Sequence, residues 1–320
     1  MAQPPARTQQ VSLTLAHSPD ADDMAMWWPL TGFIAPESGS NELLRPPAID
    51  AGRFSFTPRP EDVERLNATA RSEPLDVTAI SAAAWPALAD LYAITDCGAS
   101  FGEGYGPKLV AREDSPLHCD GCVRAQKPTI AIPGARTTAA LVLKMVLGAS
   151  SSGGARSDIE LVEMPFQQIA PAVLDGRVGA GVLIHEAQLT FESMGLKKLL
   201  DLGAWWTDET DQPLPLGLNV VRTALDAEHG AGTVAEVSRL LSQSVAHARA
   251  NPEDTRAYLK LHAATRPEWH DDELLDRYLS MYVSELTASM GSIGRAALAK
   301  LYAAGSEAGL YERAVEPVVV

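Results

Sequence analysis

Short apolar runs alternate with amphipathic stretches from Val11 to Glu186. Val11–His17, Asp76–Ile80, Leu109–Ala111, Thr129–Ile132, Ile159–Met164 and Ala180–Ile184 read as strands. Ser18-Pro19-Asp20 opens a helix through Trp27-Trp28, with Ser18 placed to cap it and Pro19 in its first turn. Helices are also expected over Glu61–Ser72, Ala82–Tyr92, Ala139–Leu147 and Gln167–Asp175. Glu37–Arg59, Glu113–Pro128 and Ala149–Ser157 lack a period and read as loops. Strands alternating with helices imply an α/β fold with parallel sheets and crossover connections, and two such sets in succession imply two lobes. The end of the chain is helical. Val234, Val237, Leu241, Val245 and Ala248 share one face, and Leu274, Leu275, Tyr278, Met281 and Tyr282 another. Ile293, Ala297, Leu298 and Leu301 repeat the pattern.

Length and charge narrow the possibilities. A chain of 320 residues is long enough for about two domains. Its net charge of −15 makes nucleic acid and anionic membrane surfaces poor partners. No segment approaches the ~18 consecutive apolar residues of a membrane span. The N-terminus lacks the apolar core of a signal peptide, so a cytoplasmic location is expected. Cys97, Cys119 and Cys122 are an odd count that fits a reducing compartment.

Four candidate sites lie at the C-terminal ends of expected strands, where open parallel sheets bind ligands. The first is His17-Ser18-Pro19-Asp20-Ala21-Asp22-Asp23, where Ser18 and Asp20 either cap a helix or meet a ligand. The second is Asp76 to Ser81, whose end Ala79-Ile80-Ser81 offers a hydroxyl beside a helix start. In the third, Pro133-Gly134 turns into Arg136, Thr137 and Thr138. Two hydroxyls there exceed what a cap requires and favour ligand binding. In the fourth, His185 ends a buried apolar strand. Partial desolvation favours the neutral imidazole that a general base needs. In an extended strand Glu186 points to the opposite face and is not its orienting partner. A structural histidine and simple capping are the plainer alternatives at these positions.

Other motifs carry less. Gly102-Glu103-Gly104-Tyr105-Gly106 precedes a strand, whereas a dinucleotide fingerprint follows one. It reads as a close-packed segment near a lobe crossing. His118-Cys119-Asp120-Gly121-Cys122 has Cys-x-x-Cys spacing, but no second ligand pair lies at zinc-finger distance, so no metal is expected. The Trp27-Trp28 and Trp205-Trp206 pairs read as core or hinge packing.

Taken in order, Ser18-Pro19-Asp20, Asp76 to Ser81, Gly104 to Pro107, Pro133-Gly134 with Thr137-Thr138, Ile184-His185-Glu186, Asp201 to Trp206 and Pro213 to Gly217 are more specific than any one of them. This set resembles the menaquinone-biosynthesis family of the futalosine pathway, nearer its naphthoate-forming branch. The likeness runs from about Leu13 to Tyr302. It implies the two-lobed, type II periplasmic-binding-protein-like clamp with C-terminal helices, used by a cytoplasmic lyase. One lobe would comprise residues 11–111 plus 215–320, and the other 112–214. The implied reaction converts cyclic dehypoxanthinylfutalosine to 1,4-dihydroxy-6-naphthoate, with His185 as proton acceptor. Ala79, Ile80, Ser81, Thr137 and Thr138 would contact the substrate, an aromatic carboxylate. No metal or organic cofactor is implied, and a homodimer is compatible with the resemblance. Stretches 36–59, 113–128 and 149–157 look longer than the minimal family pattern. Two alternatives remain open: the sister enzyme that dehydrates chorismate, and a non-enzymatic small-carboxylate-binding protein of the same fold.

Overall fold

The computed structural model describes residues 10–36, 42–148, 158–311 and 315–320. The expected loop 149–157 lies outside them. In chain order the strands are β1 (Val11–His17), β2 (Phe33–Ile34), β3 (Leu43–Arg45), β4 (Phe54–Pro60), β5 (Val77–Ser81), β6 (Tyr92–Ile94) and β7 (Ser100–Gly102). They continue with β8 (Lys108–Arg112), β9 (Ile130–Ile132), β10 (Leu161–Glu163), β11 (Ala180–Leu183), β12 (Leu196–Asp201) and β13 (Leu214–Arg222).

Two sheets organise the chain. The first runs β4-β1-β5-β13-β6, with β7 also on β13, and the second runs β10-β9-β11-β8-β12. Both are mixed, which corrects the expectation of purely parallel sheets. β4, β1 and β5 are mutually parallel, as are β10, β9 and β11. β13 pairs antiparallel with β5, and β8 antiparallel with β11. The physical reason is the route of the chain. β8 and β13 arrive from the other sheet, so neither needs the helical crossover that makes a neighbour parallel. The chain first crosses ahead of Lys108, because Lys108–Arg112 already bonds within the second sheet.

Three expected loops or helices differ. Glu37–Arg59 contains β3 and most of β4, which pairs with β1 over Val11↔Phe54 to His17↔Pro60. β4 is an edge strand, where Pro58 and Pro60 are tolerated because one side needs no ladder N–H. The helix expected over Ala82–Tyr92 is a short 3₁₀ turn, Ala82–Ala87 with Pro86 inside it, and Tyr92 already belongs to β6. Glu113–Pro128 contains a helix, Asp120–Gln126.

Burial follows the periodicity elsewhere. The helix Ala21–Thr31 is buried on nearly every face, with Trp27 and Trp28 in the core, because the first sheet and the C-terminal helices enclose it. Its N-cap is Asp20, two residues later than the expected Ser18 cap, and the Asp20 side chain makes no capping bond. Thr233–Ala250, Asp272–Tyr282 and Gly291–Glu307 form the expected C-terminal helices. Ile293, placed on the apolar face by pattern, is exposed at the first turn of its helix.

The GEGYG segment is close-packed where the chain crosses. Leu202 N–H donates to the Pro107 carbonyl (2.9 Å), and Asp201 caps the helix Leu202–Thr210 through the Gly203 and Ala204 amides. The same carboxylate pairs with Lys108. A Cβ on Gly203 would collide with the Tyr105 carbonyl, so the two backbones can touch here only through glycine.

Candidate active site

Eight residues singled out from sequence, Ser18, Asp20, Ala79, Ile80, Ser81, Thr137, Thr138 and His185, line one cavity of about 110 Å³ between the sheets. They come from the ends of β1, β5 and β11 and from the start of the helix Thr138–Val146.

His185 is the focus. It follows β11, but the strand ends at Leu183, and His185 itself is left-handed at φ 54°. Such a conformation costs a non-glycine residue about 1–3 kcal/mol unless neighbours hold it. Gln188 does so one turn on. With its amide oriented by its partners, its oxygen accepts from the His185 backbone N–H (3.0 Å) and the Tyr282 hydroxyl (2.7 Å). The imidazole packs on Phe166 at 4.6 Å between ring centres. Its Nδ1 lies 3.2 Å from the carboxylate of Asp20, which is fully buried. A carboxylate accepts, so Nδ1 carries the proton and Nε2 carries the lone pair. Nε2 is buried and has no hydrogen-bond partner among the described residues.

Asp20 is engaged from three sides. Ser18 Oγ donates to it, His185 meets it, and Arg266 lies 3.4 Å away. Ser18 thus holds Asp20 and Asp20 orients the imidazole, while both residues also line the cavity. Glu186 turns to the Trp269 indole N–H (2.9 Å), and burial pushes its carboxyl pKa up. The partner of His185 is therefore not its sequence neighbour.

Two further carboxylates crowd this centre. Burial, with the charges of Asp23 and Asp20, raises Asp22 to about 8, against the pull of His185 and the Tyr278 hydroxyl bond. Burial raises Asp23 to about 7, although the Ser18 amide donates to it at 2.7 Å. Burial thus opposes ionisation of both carboxyls, which tempers the negative potential around His185. Burial also lowers the pKa of His17, whose Nδ1 bonds the Ser18 carbonyl.

The hydroxyls divide by role. Ser81 is clasped by Asn67, whose amide donates to Ser81 Oγ (2.9 Å) and accepts from its backbone N–H (2.8 Å). The Ser81 hydroxyl proton is left to donate. Thr137 is a cap after all: its Oγ1 accepts from the Ala140 amide (3.1 Å) and donates to the Gly134 carbonyl (2.8 Å). Thr138 Oγ1 donates to the Leu216 carbonyl (3.0 Å) and accepts from the Ala83 amide (3.1 Å), tying the second sheet's helix to the first sheet. Both hydroxyls are thus engaged within the protein, Thr137 as a cap and Thr138 as a bridge between the sheets. The backbone remains available. The N–H groups of Thr138 and Ala139 have no intrahelical partner, and both residues face the cavity, which suits an oxyanion.

Pattern reading missed several neighbours of the site: Asn67, Gln188, Arg266, Tyr278 and Asn219. Gln188 was findable, one helical turn beyond His185. Arg266 sits between short 3₁₀ turns, where no periodicity marks it.

Comparison with known proteins agrees with this architecture. A family described as "Menaquinone biosynthesis" matches residues 13–307. The chain is 35% identical to the 1,4-dihydroxy-6-naphtoate synthase of Streptomyces coelicolor over 93% of its own length and 94% of the relative's. Among solved structures, protein AF1704 of Archaeoglobus fulgidus is 37% identical with a TM-score of 0.74, covering 94% of this chain and 98% of that one. The Candida albicans CA3427 product, described as having the generic periplasmic binding protein fold, has a TM-score of 0.60 at 12% identity, over 96% of this chain and 93% of that one. The chain is thus an enzyme of the menaquinone-biosynthesis family, built on the periplasmic-binding-protein fold.

Proposed function

We propose that the chain is a carbon–carbon lyase that converts cyclic dehypoxanthinylfutalosine to 1,4-dihydroxy-6-naphthoate, with His185 as general base. The observation that carries this reading is that His185 lines the cavity with its Nδ1 held by Asp20 and its buried Nε2 unpartnered among the described residues. A buried imidazole fixed on one side by a carboxylate presents a lone pair on the other. Nε2 removes an acidic carbon-bound proton. The freed electron pair drives cleavage of the bond to the sugar-derived fragment as the ring becomes aromatic, and the imidazolium holds the proton for the departing piece. Asp20 stabilises that imidazolium. A base of this kind contributes about 10²–10⁴-fold.

The remaining acceleration comes from positioning and water exclusion. The Thr138 and Ala139 amides and the Ser81 hydroxyl suit the substrate carboxylate and sugar oxygens. The cavity's 110 Å³ is below the ~300 Å³ of the smaller ligand pockets, so in this reading the lobes part to admit substrate. In this reading the chain moves as two halves of a clamp, one around each sheet, with Lys108–Arg112 belonging to the second half rather than to the expected 11–111 lobe, in a cytoplasmic protein that needs no cofactor.

The direct test is turnover by the unmutated protein. Incubation with the cyclic futalosine derivative should produce a naphthoate, seen as new near-ultraviolet absorbance and by mass. Consumption of chorismate with no naphthoate formed would replace this reading with the sister dehydration.

A further inference from the structure

We propose a second site, outside the lining of the catalytic cavity: a zinc-type metal site made by His118, Cys119 and Cys122. The Cys-x-x-Cys spacing offers only two ligands, but the fold adds a third. The donor atoms of these three residues all lie within 4.8 Å of one another, the only such His, Cys, Asp or Glu group of three found among the described residues. Cys119 Sγ is 3.0 Å from Cys122 Sγ, and Cys122 Sγ is 3.2 Å from His118 Nε2.

The imidazole tautomer suits ligation. Its Nδ1 lies 3.0 Å from the Pro116 carbonyl, which only accepts, so Nδ1 carries the proton and Nε2 the lone pair; Cys122 Sγ sits beside the ring, 3.2 Å from Nε2 and 3.6 Å from Nδ1, so the ring turns to place Nε2 on a metal. A backbone carbonyl on the far nitrogen is the usual outer partner of a metal-binding histidine. The backbone is anchored as well. Leu117 and Val123, on either side of the pair, are buried in the main core, and the Cys122 amide donates to Cys119 Sγ at 3.2 Å. The neighbouring Asp120 carboxylate is taken by Arg124 at 2.6 Å.

Two thiolates and one imidazole select a borderline-soft cation, and Zn²⁺ accepts this set with water in the fourth position. Binding exchanges the two thiol protons for the metal: Zn²⁺ displaces 2 H⁺, with no redox change. The result is a clip over Pro116–Gln126. The cluster's half-exposed position gives a metal direct access from solvent.

The test uses the full chain, purified with reductant, stripped with chelator and then given Zn²⁺ or Co²⁺ alone. We expect one metal per chain after desalting. The Co²⁺ form should show thiolate-to-metal charge transfer in the near ultraviolet and visible bands of four-coordinate geometry. Cys119→Ser and Cys122→Ser should each abolish the charge-transfer intensity ratio of two thiolates. His118→Ala should weaken binding by about 10–100-fold. All three variants should keep the parent's far-ultraviolet circular dichroism and turnover. No retained metal while both thiols remain titratable would overturn the site. So would a Cys119–Cys122 disulfide that forms in air even with Zn²⁺ in excess, since that result makes the pair a redox couple. Metal retained equally by the double serine variant would also overturn it.

Discussion

At the scale of single residues the account rests on how one imidazole is held. His185 was legible because an isolated histidine ends a buried apolar run. Its partner was not. Asp20 reads from sequence as part of a helix start, and only the juxtaposition of β1 and β11 ends turns it into an orienting carboxylate. The left-handed turn at His185 and the Gln188 bond that supports it lie equally beyond pattern reading. The acidic crowd makes a pH prediction. Burial and the Asp23 and Asp20 charges raise Asp22 to about 8. Its proton is therefore held more tightly in the folded chain than in the unfolded one. That contribution to stability is full at pH below the ordinary carboxylate value and is lost as pH rises through the folded value. Asp22→Asn removes the penalty, so the variant should gain thermal stability over the parent, and gain more at about pH 8.5 than at about pH 5. Melting curves at the two pH values check this; an equal or smaller gain at the higher pH contradicts it.

At the scale of elements, long apolar-periodic segments were readable and short or edge segments were not. The helices Thr233–Ala250 and Asp272–Tyr282 follow their hydrophobic stripes closely. β4 was hidden because Phe54–Pro60 carries Pro58, Arg59 and Pro60, which suit an edge and hide a strand. The helix Asp120–Gln126 was hidden because a seven-residue helix with Gly121 near its start barely shows a period. The Thr137 cap shows the opposite error: a real local signal was assigned to ligand chemistry before its capping role was satisfied. The DLGAWW element has a plain physical function. Asp201 caps a helix and pairs with Lys108, and Gly203 lets that helix touch the crossing at Tyr105-Gly106. Gly203→Ala should therefore cost about 1–3 kcal/mol, read as a lower urea midpoint with unchanged slope. An unaltered midpoint would show that the crossing can relax.

At the scale of the whole molecule, two mixed sheets joined by crossing strands place three strand ends and a helix start around one cavity. The α/β class and the clamp were legible from alternating elements and from the family resemblance. The antiparallel strands were not, because a period of two says nothing about direction. The net charge of −15 does not bar an anionic substrate. The pocket's potential is set locally, by the helix start at Thr138 and by burial that raises the carboxyl pKa values of Asp22 and Asp23. Thr138 bridges the two sheets through its hydroxyl, beside the cavity that it lines. The cleft reading and the base reading meet in one variant. His185→Ala, assayed for single-turnover rate and for affinity toward the naphthoate product, measures both together. The account predicts a rate at least about 10²-fold lower with product affinity within about threefold of the parent. Undiminished turnover, or loss of binding in proportion to rate, would contradict a base at this position.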